Sequence, residues 1–134
     1  MAKAFSDQVT DWVRKSDQRM TAVFRQSAQD VIEEAQSRVN VDTGFLRSSG
    51  DAALNKLPVV PTEPPEGASG FTWDADSALL VIAQAQLGDT IFFGYGANYA
   101  GFVEERFGFL RLAAQNWPQI VNKAARTIEQ RVRR

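Results

Sequence analysis

Asp42-Thr43-Gly44 is the tripeptide in this chain whose residue types could do chemistry. Two such aspartates, meeting across a twofold axis, share one proton and activate a water for attack on a peptide bond. The context opposes that use. A catalytic aspartate of this kind sits on a loop after an apolar strand, and a small residue follows the glycine. Here a polar helical segment precedes Asp42, Phe45 follows Gly44, and no second apolar strand ending in a glycine-supported loop occurs near the C-terminus. The tripeptide reads instead as a turn, in which the Asp42 side chain closes an Asx-turn and Gly44 takes a positive φ.

The other constellations are weaker. Glu33-Glu34 and Glu104-Glu105 are adjacent carboxylates, but neighbours on a helix point about 100° apart and cannot converge on one bond. Gly94-Tyr95-Gly96 begins like a dinucleotide fingerprint, yet Tyr99 stands where the third glycine belongs and no phosphate-loop lysine follows. Histidine and cysteine are both absent. That removes the side chain best suited to proton transfer near neutral pH, the commonest neutral metal ligand, thiolate ligands and disulfides. The chain therefore reads as non-enzymatic, with no cofactor and no metal site. Lys123, Arg126, Arg131, Arg133 and Arg134 are charged-contact candidates, and Trp12, Trp73 and Trp117 could stack on bases. The tryptophans lie on different elements, and a pI near 5.4 lacks the broad basic face of a nucleic-acid binder.

The elements that must position these residues are legible from their periodicity. The 134 residues suit one domain, 1–134. No glycine or proline occurs in residues 4–42, and Phe5, Val9, Trp12, Val13, Met20, Val23, Phe24, Val31, Ile32, Ala35 and Val39 recur at helical spacing. One long helix is expected, with Ser6 as its N-cap. It would run about 50 Å, longer than the roughly 30 to 40 Å a domain of this size covers, so part of its stripe should meet another subunit. Residues 61–70, with three prolines and two glycines, form a proline-rich loop. Residues 71–73, 79–83 and 90–95 read as strands, and their short connections favour antiparallel pairing. A short helix is expected over residues 98–105, interrupted by Gly108. Asn116 and Pro118 then open a final helix with Ile120, Val121, Ala124, Ala125, Ile128 and Val132 inward. The fold class is α+β, with a long N-terminal helix and a C-terminal helix packed on a small antiparallel sheet. The longest apolar run, residues 78–83, is too short to span a bilayer, and the start lacks an apolar signal region, so neither anchor nor secretion signal is expected.

Charge is unevenly spread. Residues 1–40 carry six basic and six acidic groups, residues 41–110 three against nine, and residues 111–134 six against one. An acidic middle and a basic end can attract each other between neighbouring copies.

The order of features carries more than any one of them. A long helix, Val41-Asp42-Thr43-Gly44-x-Leu46-Arg47-Ser48, strands, Tyr99-Ala100-x-Phe102-Val103-Glu104, Phe107-Gly108 and Phe109-Leu110-Arg111 before a final helix resembles the phage neck and tail-completion protein family. That resemblance implies a virion subunit, made in the host cytoplasm, forming a homo-oligomeric ring, commonly sixfold, at the head-tail joint of a long-tailed bacteriophage. Its partners would be the head-closure or connector protein and the tail tube or terminator protein, with DNA passing non-specifically through the lumen and no membrane contact. Within the turn, Asp42, Thr43 and Gly44 would set the reversal, Leu46 plug the core and Arg47 reach a carboxylate such as Glu104. Tyr99, Phe102 and Phe109 would wedge the final helix, while Trp12, Phe24 and Arg111 are further packing or interface candidates. Rival readings are a tail terminator or head-closure protein of the same joint, a small nucleic-acid-binding module, and a dimeric aspartic protease.

Overall fold

The computed structural model describes residues 4–39, 44–64, 66–67 and 70–133. Asp42 and Thr43 of the turn motif and Arg134 lie outside the described residues. The architecture is α+β. Helix α1 (Phe5–Arg38) is continuous, as the absence of glycine and proline predicts. It starts earlier than Ser6: Ala4 precedes the first turn, and no side chain caps it. The one-turn helix α2 (Phe45–Ser48) leads into β1 (Gly50–Leu54). After residues 55–74 come α3 (Ala75–Gln84) and β2 (Ile91–Tyr95). Three helices close the chain: α4 (Ala100–Phe107), α5 (Phe109–Gln115) and α6 (Trp117–Val132).

The sheet has two strands among the described residues. β1 and β2 pair antiparallel, with Gly50 opposite Tyr95 and Leu54 opposite Ile91. Asn55, at φ 60°, closes the open end: its backbone N–H donates to the Thr90 carbonyl at 2.7 Å, and its side chain accepts from the Thr90 N–H at 2.8 Å.

Residues 71–73 and 79–83, expected as strands, are not. Residues 71–73 are irregular, and residues 79–83 lie within α3. A short apolar run does not separate strand from helix by composition. The capping chemistry does, because the Asp74 carboxylate accepts from the Ser77 N–H at 3.4 Å. Burial then follows the helical period: Ala78, Ile82 and the capping Ala85 point inward, while Leu79, Leu80 and Ala83 face out.

Two apolar clusters share α1. Ala28 and Ile32 pack with Ile82, against which Trp73, Ile91 and Phe93 lean. Val39 joins Phe45, Leu46, Ala97 and Phe109 in the other, with Phe71 and Tyr95 at its edge. α5 and α6 pack on α1. The Asn116 side chain donates to Glu34, four residues before α1 ends, and Ile120, Ala124 and Ile128 of α6 are buried. Asn116 was expected to cap α6 and instead spends its amide on that tie.

Candidate assembly interface

From Gly44 onward, the described part of the turn motif leads into a hydrogen-bonded joint that fastens α1 to the sheet. Gly44 has φ 89°, a conformation costly to any residue with a Cβ, and a Cβ there would lie 3.1 Å from the Phe71 carbonyl oxygen. Leu46 is buried beneath α1, as expected. Arg47 does not pair with Glu104. Its Nε donates to the Gln36 carbonyl at 3.3 Å, while Gln36 Nε2 donates back to the Arg47 carbonyl at 3.0 Å. Gln36 is 2% exposed, and its remaining oxygen accepts from the Tyr95 hydroxyl at 2.8 Å. Burial pushes the Tyr95 phenol above its ordinary pKa, Arg47 opposes this and Glu104 adds to it.

Two further ties were invisible in the sequence. Ser49 Oγ donates to the Leu46 carbonyl at 2.7 Å and accepts from the Gly96 and Ala97 N–H groups, each at 3.3 Å. The Trp73 indole donates to the Gly50 carbonyl at 3.0 Å. Gln36, Ser49 and Tyr95 carry this joint, yet a polar residue on an amphipathic helix and a serine in a turn both read as solvated. The only signal is that Gln36 falls one position after the buried Ala35 on the C-terminal turn of α1.

Glu104 has a different task from the one expected. Its two carboxylate oxygens accept from the Leu110 N–H at 2.8 Å and the Arg111 N–H at 2.9 Å, satisfying orphan donors at the start of α5. Gly108 lets α4 end and α5 begin at φ 63°, with the Arg111 guanidinium lying over it. Phe109 is 2% exposed and meets Tyr95 edge-on at 5.0 Å between ring centroids, so it packs in the core against β2. Phe102, on α4 at 80% exposure, and Tyr99, which precedes α4, are both exposed. The basic end is partly neutralised within its own helix. Arg133 pairs with Glu129 at 2.6 Å, Arg126 turns back to the Asn122 carbonyl, and Arg131 is exposed.

The first half of α1 carries an unpacked apolar face. Phe5, Val9, Trp12, Val13 and Met20 are all exposed, Trp12 at 67%. At about 100° per residue these five positions occupy a face roughly 100° wide. The buried positions on α1 begin only at Ser27. The void beside Val9, Val13 and Asp17 is bounded by α1 alone, so it is an open helix face rather than a cavity. Phe24 differs, being half-buried in a groove wall where α1, β2 and the start of α6 meet. Among the described residues no cluster of three or more potential metal ligands occurs, and no helix is long and apolar enough to cross a membrane. No protein-family model, curated protein or solved structure matches the chain.

Proposed function

We propose that this chain is a non-enzymatic subunit of a ring at the head-tail joint of a long-tailed bacteriophage, linking the head connector to the tail tube while DNA passes through. The observation that carries the reading is the projecting half of α1. A contiguous apolar face on a helix that extends past its own core is an interaction surface, because leaving it in water forfeits the burial energy of five large side chains. A ring needs two different complementary patches on each subunit, and a helix reaching beyond the body supplies one of them to a neighbour. The joint at Gln36, Arg47 and Tyr95 suits the same role, since it holds that helix at a fixed angle to the sheet. The order of the turn motif, the α4 segment and the final helix adds the resemblance to neck and tail-completion proteins. Exposed carboxylates of the acidic middle, among them Glu63, Glu66 and Glu105, would repel rather than hold phosphates if they line the lumen.

Imaging of virions whose copies of this chain carry a gold-binding tag tests the reading. Label between head and tail is the expected result. Label on the capsid shell or on fibres, or virions free of label, would contradict it.

A further inference from the structure

The same chain carries an apolar groove that its own α1 stripe cannot reach. Phe24, Ala28, Val31, Ile91, Phe93 and Trp117 line an open groove of about 290 Å³, with Asp89 and Thr90 completing its wall. The groove is open rather than enclosed and its lining is mostly apolar, which suits side chains presented by another protein surface. Asp89 gives it an acid at the edge, and its carboxylate is held there by the Gln86 N–H at 2.8 Å and the Asn55 amide at 3.1 Å. The stripe carries the opposite sign on one flank, where Lys15 and Arg19 are exposed beside Trp12 and Ser16.

Both features sit on one uninterrupted helix. Ser16, at the centre of the stripe, and Ala28, in the groove wall, are separated by twelve residues (28 − 16) of α1. That is about 18 Å of rigid rod at 1.5 Å per residue, and a helix cannot fold its own stripe back into its own wall. Another copy can present that stripe.

We propose that Trp12, Ser16 and Met20 of one copy seat in the Phe24–Trp117 groove of the next, with Lys15 and Arg19 beside Asp89. The contact is head-to-tail: each copy uses one patch to give and a different patch to receive, which closes into a ring when the rotation between copies permits. It rests on the reading of the chain as a ring subunit and specifies how one copy grips the next.

Because the chain has no cysteine, single cysteines report this contact directly. Ser16→Cys is nearly isosteric, Thr90→Cys alters an exposed side chain, and Gln130→Cys on the outer face of α6 serves as control. Under mild oxidation, mixed Ser16→Cys and Thr90→Cys chains should form a disulfide-linked dimer at least about tenfold faster than either does alone or with the control, because seated thiols meet at raised effective concentration. Adding Trp12→Ala to the Ser16→Cys chain should return the rate to the control level, with circular dichroism checking that the fold is intact. Predominance of the Ser16→Cys homodimer would overturn the proposal in favour of paired α1 helices, and equal rates for every pair would overturn it as random collision. Failed cross-linking with label still found at the neck removes only this contact. Cross-linking with label elsewhere keeps the contact and removes the joint reading.

Discussion

The Tyr95 hydroxyl donates to the Gln36 side-chain oxygen at 2.8 Å, bridging β2 and the last turns of α1 across 59 residues of sequence. Gln36 is buried and its other groups are already committed to Arg47, so this bond has no substitute from water.

Tyr95→Phe should therefore destabilise the fold by about 1 to 2 kcal/mol, because it leaves a buried acceptor unmet. Thermal melts should fall by about 4 °C per kcal/mol for a domain of this size. The same bond sets a pH dependence. Burial raises the folded-state pKa of Tyr95 above its unfolded value, so the fold favours the neutral phenol. Its contribution is complete below about pH 10 and is lost as pH rises further, where the unfolded chain ionises and the folded one resists. Melts recorded from pH 8 to 11 should show a decline above pH 10 that Tyr95→Phe makes shallower.

Gly44→Val should cost about 1 to 3 kcal/mol, since φ 89° is strained for a β-branched residue and the added Cβ would crowd the Phe71 carbonyl. Chemical denaturation reads this as a lower midpoint with an unchanged slope. A variant with the wild-type midpoint would show that the turn tolerates another backbone conformation.

Glu104→Ala should cost about 1 to 2 kcal/mol, because the Leu110 and Arg111 N–H groups lose their shared acceptor at the start of α5. Glu104→Gln keeps one oxygen and should fall between Ala and wild type. Equal stability of all three would show that water caps α5 as well as the carboxylate does.

Trp12→Ala should separate folding from assembly. The side chain is 67% exposed and lies outside both core clusters, so the monomer should melt within about 0.5 kcal/mol of wild type. If the stripe makes the proposed contact between copies, incorporation into particles should drop. A large loss of stability would mean that the stripe packs within its own chain.

The helices at either end were legible because their signals are long and uninterrupted. Residues 4–42 lack any breaker, Pro118 sits in the first turn of α6, and Ile120, Ala124 and Ile128 repeat at four-residue intervals. β2 was legible from its β-branched and aromatic run. α3 was not, because residues 78–83 are apolar on every side of the helix and Asp74, which decides the matter as an N-cap, also reads as a turn residue. The interface was half legible. Periodicity and length together marked α1 as too long for its own core, but not which half of its stripe stays uncovered. The joint around Gln36, Ser49 and Tyr95 was hidden because buried polar residues are recognisable only through partners distant in sequence. The proposed pairing of Arg47 with Glu104 failed for the same reason: each finds backbone partners closer at hand.

The proposed role of the chain is to join a phage head to its tail. Deleting its coding sequence from the genome that encodes it, and imaging the resulting lysate by electron microscopy, decides whether it has that role. If the chain forms the proposed ring, DNA-filled heads and separate tails should appear in the same field, and supplying the chain in trans should restore whole virions. Normal joined virions without the chain would contradict it.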